Sequence, residues 1–474
     1  MGNRILKIII WIFIVMLPTI LICQEAGKQE APIVLRNADS MFGYPTANGS
    51  VREFNGNVVL TQGNVTVRSD KAIHYMDLNI ADLTGNVIIT QSDMVLKAPH
   101  INYNGNTRIA VSDGGVELKD KEITLFADFG KYSTETLIAD FEKNVTMLDG
   151  KSTLKAKFGK YSRKTEIADF DENVIVEDDS ATITAKKVTF DRNNRNSFAY
   201  GNVVVKGKFS NVILTGDTVI NLSKDRYTKA YGKPVLYQID TIKTVELSST
   251  FNESQPFLTD SGEVVKYEFD TLSISSDTME AYRNLDAEIY IFTNNVEMNK
   301  GNSAAIAQFS IYMKQDEVIN LMGKPIVWYD STQLHADSIS ISIPERKLRA
   351  ILAYGDALAA TRDDSININR INQITGEDIR INIEQDTIRK IESYGNAKSL
   401  YFSSGTDSDE GAARNSSDSI IIDFDLGKVY SILWLGGIQG EYFPLIMFEA
   451  DPLKIFLPNF RWSDKKPKKR EMPK

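Results

Sequence analysis

Cysteine is almost absent from this sequence. Cys23 is the only one among 474 residues, so no intramolecular disulfide can form and stability must come from burial and backbone pairing. Histidine is also scarce: His74, His100 and His335 lie far from one another in the sequence. Their spacing matches no pattern of metal ligands. We therefore expect neither a metal site nor a cofactor.

Positive charge is in deficit. The chain has 54 Lys and Arg residues against 63 Asp and Glu, a formal net charge of -9. Domains that bind nucleic acid normally present a basic face, so we expect no nucleic-acid partner. Cationic residues cluster only near the C-terminus, and such a run is usually a solvated tail. These residues are Lys465, Lys466, Lys468, Lys469 and Arg470.

Only one apolar run is long, and it lies at the N-terminus. It extends from Ile8 to Cys23 behind two cations, and it is shorter than the roughly 20 residues that a membrane-spanning helix needs. This layout predicts that residues 1–23 form a secretory signal peptide, cleaved after Cys23. Two alternatives stay open: acylation of Cys23 as in a lipoprotein, and retention of the uncleaved segment as an inner-membrane anchor.

What the sequence has in abundance is an internal repeat. The stretch "IADFEKNVTM" at residues 138–147 returns as "IADFDENVIV" at residues 167–176, 29 residues later. The second residue of each "GN"-like pair serves as a landmark, and later steps lengthen to as many as 41 residues. A fixed period over a whole chain is the signature of a repeat array. The thirteen landmarks are Asn57, Asn86, Gly115, Asn144, Asn173, Asn202, Lys233, Glu263, Asn295, Lys324, Asp356, Asn396 and Gly437.

Apolar residues recur one and three positions after each of the first six landmarks, which is typical of a strand with one buried face. Seventeen positions after four of these landmarks lie the residues of an aromatic ladder: Tyr103, Tyr132, Tyr161 and Phe190. Periodicity alone leaves two interpretations open, a sealed core and an apolar groove that binds lipid. The groove candidates are Val58, Leu60, Val87, Ile89, Val116, Leu118, Val145, Met147, Val174, Val176, Val203 and Val205.

The repeat defines the expected domain organisation. We expect the array over residues 24–440, with polar insertions near residues 361–378 and 403–419 where the step is longest. Residues 441–474 are aromatic and proline-rich, and we expect them to form a C-terminal cap or docking segment with a basic tail. The rungs around residues 58–67 have no proline, so we expect them to form a free N-terminal edge that can accept a strand.

The stretch "GNVVLTQGNVTVRSDKAIHYMDLNIADLTGNV" (residues 56–87) resembles the OstA-like repeat (organic solvent tolerance, LptA-like) of lipopolysaccharide-transport bridge proteins. The resemblance extends from about Val34 to Gly440, and the long OstA-like proteins of Bacteroidetes-type bacteria are the most similar in length. The "AD" or "SD" pair of that repeat recurs as "ADS" at residues 38–40 and 336–338, "SDK" at 69–71 and "SDT" at 276–278.

The resemblance implies an all-β elongated array, an antiparallel jelly roll (β-taco) of ~29–32-residue units, whose open groove shields lipid A acyl chains in the periplasm. The implied partners are lipopolysaccharide, related jelly-roll domains of inner- and outer-membrane transport proteins, and further copies of this chain stacked head to tail. No catalysis is expected. The residues alone also allow a parallel β-solenoid with a structural or adhesive role at the cell surface.

Overall fold

The computed structural model describes residues 31–47, 49–247, 263–284, 287–362, 370–403, 411–444, 446–447 and 451–473. The expected signal peptide lies outside these ranges. The chain divides into two compact units: unit 1 comprises Met1–Lys121 and Phe129–Leu137, and unit 2 comprises Glu122–Asp128 and Ile138–Lys474.

Unit 1 contains nine strands in its described part. They are β1 (Val34–Asn37), β2 (Ser40–Thr46), β3 (Gly49–Gln62), β4 (Val65–Tyr75), β5 (Ile80–Gln91), β6 (Met94–Asn104), β7 (Ile109–Ser112), β8 (Val116–Asp120) and β10 (Phe129–Ser133).

Unit 2 contains twenty-three strands in its described part, a 3₁₀ turn at Pro344–Arg346 and a short helix α1 (Pro452–Ile455). The strands are β9 (Ile123–Ala127), β11 (Ile138–Asp149), β12 (Ser152–Ser162), β13 (Ile167–Glu177), β14 (Ala181–Asp191), β15 (Asn196–Gly207), β16 (Val212–Leu222), β17 (Tyr227–Tyr231), β18 (Val235–Leu247), β19 (Glu263–Ser275), β20 (Thr278–Arg283), β21 (Glu288–Lys300), β22 (Ser303–Met313), β23 (Val318–Met322), β24 (Ile326–Tyr329), β25 (Thr332–His335), β26 (Ser338–Ser342), β27 (Ala350–Arg362), β28 (Ile371–Glu384), β29 (Thr387–Ser403), β30 (Gly411–Asp425), β31 (Lys428–Leu435) and β32 (Gln439–Pro444).

All strand pairings described within the two units are antiparallel. The predicted all-β, antiparallel jelly-roll class is confirmed. The alternative, a parallel β-solenoid, is wrong, because a solenoid coil pairs each strand in parallel with the equivalent strand of the next coil.

Gly-Asn pairs are common in hairpin turns, but the landmark pairs form bulges within continuous strands. In β5, Gly85 and Asn86 adopt φ angles of 77° and 43°, and the register with β6 shifts between Thr84 and Val87. Two consecutive residues with positive φ bend the strand, and glycine and asparagine adopt that conformation at the lowest cost. Each long strand is thereby divided into two arms.

We call the two arms A and B. Arm A holds the segments whose hairpin turns lie at residues 76–79 and 105–108, with their equivalents in later repeats. Arm B holds the segments that turn at residues 63–64 and 92–93. The inner faces of the arms pack on each other: a Cβ added to Gly130 in arm A would lie 2.5 Å from Cγ1 of Val116 in arm B. We call the open side, where the two sets of turns face each other, the mouth.

The recurring "AD" and "SD" pairs stabilise the bulges. Asn86 Nδ2 donates to Asp70 Oδ2 at 2.8 Å, and Asn144 Nδ2 donates to Asp128 Oδ2 at 2.7 Å. The carboxylate thus holds the side chain of the landmark asparagine on a neighbouring strand. This contact explains why an acidic residue and an Asn recur at fixed spacing in the sequence.

Both ends of the array are covered by a pair of short strands, one for each arm. At the N-terminal end β1 pairs with arm B of β3 and β2 pairs with its arm A. The expected free edge at residues 58–67 is therefore wrong, because β1 occupies it. At the C-terminal end β31 pairs with arm A of β30 and β32 pairs with its arm B. Residues 441–444 thus extend the sheet.

The two segments expected as insertions contribute largely to strands. Residues 371–378 belong to β28 and residues 411–419 belong to β30, whereas residues 363–369 and 404–410 lie outside the described ranges. The longer repeat step therefore reflects longer strands: β28, β29 and β30 have 14, 17 and 15 residues.

The last described part of the chain crosses the outer face of arm B. We call residues 455–473 the C-terminal strap. Ile455 and Leu457 pack against Leu400, Phe402 and Ala412. Further along, Ser463 O accepts a hydrogen bond from Gln333 Nε2 (2.7 Å), Pro467 O from Asn299 Nδ2 (3.1 Å) and Glu471 O from the Tyr237 hydroxyl (2.8 Å).

The strap follows one continuous row of cross-strand neighbours, all of them buried. Seven steps separate Gln373 from Tyr237, which is about 34 Å at the usual strand spacing. The 15 residues from Leu457 to Glu471, which include a turn at residues 458–459, are long enough to cover that distance. The row consists of Tyr237, Ser273, Asn299, Ala304, Trp328, Gln333, Ala360, Gln373 and Leu400.

Candidate functional site

Most of the groove candidates lie on the inner face of arm B and are fully buried. Their exposed fraction does not exceed 5% for Val58, Leu60, Val87, Ile89, Val116, Leu118, Val145, Met147, Val174 and Val203. Val176 and Val205 differ, because both are only half-buried. The candidates thus share one face, but their burial differs along it.

In unit 1 the inner face is sealed. We define the sealed row as Leu60, Val67, Ile89, Leu96 and Leu118, which are successive cross-strand neighbours. None of them is more than 3% exposed.

The seal is formed by glutamines five positions after the landmarks, at the mouth. Gln91 Nε2 donates to Thr134 O in the opposite arm at 2.9 Å, and its Oε1 accepts from the Tyr132 hydroxyl at 2.7 Å. Gln62 repeats the arrangement with Gly105 O at 2.8 Å and the Tyr103 hydroxyl. Burial raises the pKa of both tyrosines, so each hydroxyl stays protonated and can donate. The mouth of unit 1 is therefore closed by paired side chains from the two arms.

An ion pair closes the mouth at one level of unit 2. Arg192 Nε in arm A donates to Asp149 Oδ2 in arm B at 3.2 Å, and the arginine side chain is only 9% exposed. Burial alone would lower the pKa of Arg192, but the hydrogen bond and charge of Asp149 outweigh it and raise that pKa. Asp149 lies five positions after its landmark, as Gln62 and Gln91 do.

Beyond Asp149 the residues at this position bond within their own arm. Asp178 Oδ1 accepts from the backbone N–H groups of Ser180 (2.7 Å) and Ala181 (2.8 Å). Gly207 has no side chain, and Gln238 Nε2 donates to Ser210 O at 3.3 Å. At these three levels the fifth position therefore does not hold the two arms together as it does in unit 1.

The inner row is half-buried at the same levels. Five consecutive cross-strand neighbours of this row are only half-buried. The row is buried before them, at Met147 and Leu154, and buried again after them, at Ile274 and Met298. We call the five the half-open row; at the usual strand spacing it is about 19 Å long. The half-open row consists of Val176, Ile183, Val205, Leu214 and Leu236.

The aromatic ladder changes at the same place. Tyr103, Tyr132 and Tyr161 are at most 2% exposed, whereas Phe190 is half-buried. Each ladder residue lies opposite a small residue on the next strand, as in the pair Tyr161–Ala139. Phenylalanine has no hydroxyl to donate across the mouth, so the side-chain bond available to Tyr132 is unavailable at Phe190.

Past the half-open row a charged cluster spans the mouth. Asp240 in β18 contacts Lys300 Nζ at 2.8 Å and Arg346 Nη1 at 3.2 Å, and Arg346 lies in an arm A turn. Lys300 is the fifth residue after its landmark. The two arms are thus bridged by side chains on both sides of the half-open row.

Sequence reasoning missed the fifth position. Gln62, Gln91 and Asp149 continue the alternation of the two apolar positions that precede them, so a polar residue in register with the core was the available signal. The residue at the fifth position distinguishes the closed levels from the half-open ones, whereas the apolar residues before it are similar at both.

The three histidines have structural environments. His74 and His335 are buried, and burial lowers the pKa of each, that of His335 to about 4. His100 bonds Asp113 (3.2 Å) and Asp82 (2.5 Å), which raise its pKa.

The residues that the structure describes contain no group of three or more His, Cys, Asp or Glu arranged to hold a metal ion. Within the same ranges no helix is long and apolar enough to cross a membrane.

Comparison with known families identifies two overlapping matches. A family described as OstA-like protein matches residues 30–186. A second, described as LptA/(LptD N-terminal domain) LPS transport protein, matches residues 159–347 and so includes the half-open row. A search of curated proteins finds no match. The two matches together span residues 30–347, so most of the described chain is similar to OstA-like and LptA/LptD N-terminal lipopolysaccharide-transport proteins.

Proposed function

We propose that this lipopolysaccharide-transport bridge protein acts in the periplasm, and that the half-open row holds the acyl chains of lipid A on their way to the outer membrane. The observation that carries the proposal is five consecutive apolar neighbours, from Val176 to Leu236, that are only half-buried between two buried stretches of the same row. An acyl chain laid along that row would complete its burial.

The energetics favour an apolar ligand at this place. Each methylene group removed from water contributes about 0.8 kcal/mol, and covering the half-buried side chains adds to that gain. The row needs no nucleophile or cofactor to act in this way, so we propose binding and transfer, without catalysis.

The ends of the array supply surfaces for the expected protein partners. β31 and β32 carry exposed large apolar side chains, with Tyr430 79% and Tyr442 53% exposed, and β2 carries Phe42 at 63%. An edge strand with apolar side chains can pair with a strand of another protein. We propose that related jelly-roll domains, or further copies of this chain, dock at these two ends.

Two adjacent valines provide the test. Val205 belongs to the half-open row, whereas Val204 points to the outer face, and both are half-buried. We expect Val205→Asp to reduce the binding of purified lipopolysaccharide at least tenfold, since a carboxylate would have to be desolvated against the acyl chain. Val204→Asp, the matched control, should bind as the wild type does.

Circular dichroism and thermal melting of both variants separate loss of binding from loss of fold. Equal lipopolysaccharide binding by the two variants would show that the half-open row is not the site. Absence of binding by the wild-type protein would overturn the proposed function itself.

A further inference from the structure

The C-terminal strap is held on arm B by its backbone. The carbonyl groups of Ser463, Pro467 and Glu471 accept hydrogen bonds from buried side chains of arm B, and the N–H groups of Leu457 and Ser463 donate to Gln373 and Gln333. Arg461 and Arg470 add ion pairs with Asp356 (3.1 Å) and Glu297 (2.7 Å). These contacts fix the path of the strap over several strands.

The part of the strap from Lys465 to Arg470 is cationic. Five of the six residues from Lys465 to Arg470 are basic, although the whole chain carries a net charge of -9. Lys466 Nζ donates to Asn302 O, and Arg470 pairs with Glu297. The three remaining lysines (Lys465, Lys468 and Lys469) are exposed and have no side-chain partner in the part of the chain that the structure describes. A solvated tail makes no such backbone contacts, whereas the stretch that carries these lysines is held on arm B at Ser463, Pro467 and Glu471.

Exposed apolar side chains precede these lysines on the same segment. Ile446 is 78% exposed, Met447 56% and Leu453 78%. Leu453 lies in α1, next to Ile455 and Leu457, which pack onto the outer face of arm B. The segment thus combines apolar side chains that arm B leaves uncovered with unpaired cations further along.

We propose that the described part of the C-terminal segment, residues 446–447 and 451–473, is a docking surface for an anionic phospholipid membrane. Unpaired lysines on the same segment as exposed large apolar groups are the combination that binds the interface of an anionic bilayer. An acidic protein would match the charges, but it would leave the three apolar side chains without an apolar environment. The inference concerns the outer face of arm B and does not depend on the proposed lipid site within the array.

The test uses the full-length protein and flotation with two kinds of vesicle: phosphatidylcholine alone, and phosphatidylcholine mixed with phosphatidylglycerol. The neutral vesicles set the background, including any contribution of residues 1–30. Each lysine near an anionic surface contributes about fivefold in affinity. The variant Lys465→Gln/Lys468→Gln/Lys469→Gln should therefore lose on the order of 100-fold in binding to the anionic vesicles.

The matched control removes the same charge from exposed positions outside the strap, as Lys155→Gln/Lys160→Gln/Lys186→Gln, and should bind as the wild type does. Replacing the three strap lysines by arginine should restore binding, and added salt should weaken it. Because none of the three lysines holds the strap, the melting temperature should not change. Equal binding of the wild type to neutral and anionic vesicles would overturn the proposal, as would an equal loss in the control or full binding by the triple glutamine variant.

Discussion

The sealed row of unit 1 and the half-open row of unit 2 have the same kind of side chain at the same repeat position. Ile89 and Val205 both lie three residues after their landmarks, yet Ile89 has no exposed surface and Val205 is half-buried. The difference lies two residues further on: Gln91 bonds the opposite arm, whereas Gly207 has no side chain. Access to the core of each repeat is therefore governed by a polar position at its mouth.

A carboxylate placed in each row should produce the largest contrast. Ile89→Asp buries a charge with no partner, and we expect it to lower the free energy of unfolding by several kcal/mol, on the order of 4. Val205→Asp should cost about 1 kcal/mol, because water reaches a half-buried position. Denaturant unfolding monitored by circular dichroism measures both. Equal losses would mean that the two rows do not differ in solution.

The strap should respond to acid through His335, which lies beneath it and contacts Gln333 Oε1 at 3.2 Å. Burial, and then the charge of Arg461, lowers the pKa of His335 to about 4 from its ordinary 6.5. The unfolded chain binds the proton first as pH falls, so stability present above pH 6.5 is lost progressively down to about pH 4. The loss should reach about 3 kcal/mol.

Comparing the wild type with His335→Gln over this pH range isolates the contribution of His335 from that of the carboxylates. The difference in the free energy of unfolding between the two proteins should change with pH in the stated direction. A difference that stays constant from pH 7 to pH 4 would contradict a neutral, buried His335.

A mouth bridge can be removed from the sealed region to make it resemble the half-open one. Gln91→Ala leaves the Tyr132 hydroxyl and Thr134 O without the glutamine, and we expect a loss of about 1–3 kcal/mol. The variant should also bind an apolar fluorescent dye more strongly than the wild type, because the sealed row becomes accessible. Unchanged dye binding would show that something other than Gln91 closes the mouth.

The smallest effect is expected at the exposed ion pair between Lys151 and Asp179, near the half-open row. The two atoms are 2.7 Å apart, but the side chains are 81% and 68% exposed. Lys151→Ala should therefore change the free energy of unfolding by less than about 0.5 kcal/mol and leave lipid binding unchanged. A larger effect in either assay would mean that charge at this turn contributes to the site.

The sequence predicted what depends on local alternation and missed what depends on distant partners. The period and the strand faces follow from apolar residues one and three positions after the first six landmarks, whereas the antiparallel class came from the resemblance to the OstA-like repeat. Gly-Asn composition does not distinguish a turn from a bulge, because the same φ angles serve both and only the pairing partner separates them.

The strap was beyond sequence reasoning because its contacts join residues 84 to 234 positions apart in the chain. Its signal is nevertheless present in the outer row of arm B. Under the strap that row has buried Asn299, Gln333 and Gln373, whereas the equivalent row of unit 1 contains Thr66, Thr90 and the exposed Lys119. Side-chain amides therefore occupy this row where it binds the backbone of the strap, and hydroxyl or charged groups occupy it in unit 1.

The most direct test of the account is photo-crosslinking in growing cells from two leucines that occupy equivalent positions. Leu96 is the cross-strand neighbour of Ile89 in the sealed row, and Leu214 is the neighbour of Val205 in the half-open row. A leucine analogue with an aliphatic diazirine, inserted at either position, preserves size and polarity. We predict lipopolysaccharide adducts at Leu214 and none at Leu96. Adducts of equal yield at both positions, or at Leu96 alone, would contradict the claim that the half-open row is where lipid is carried.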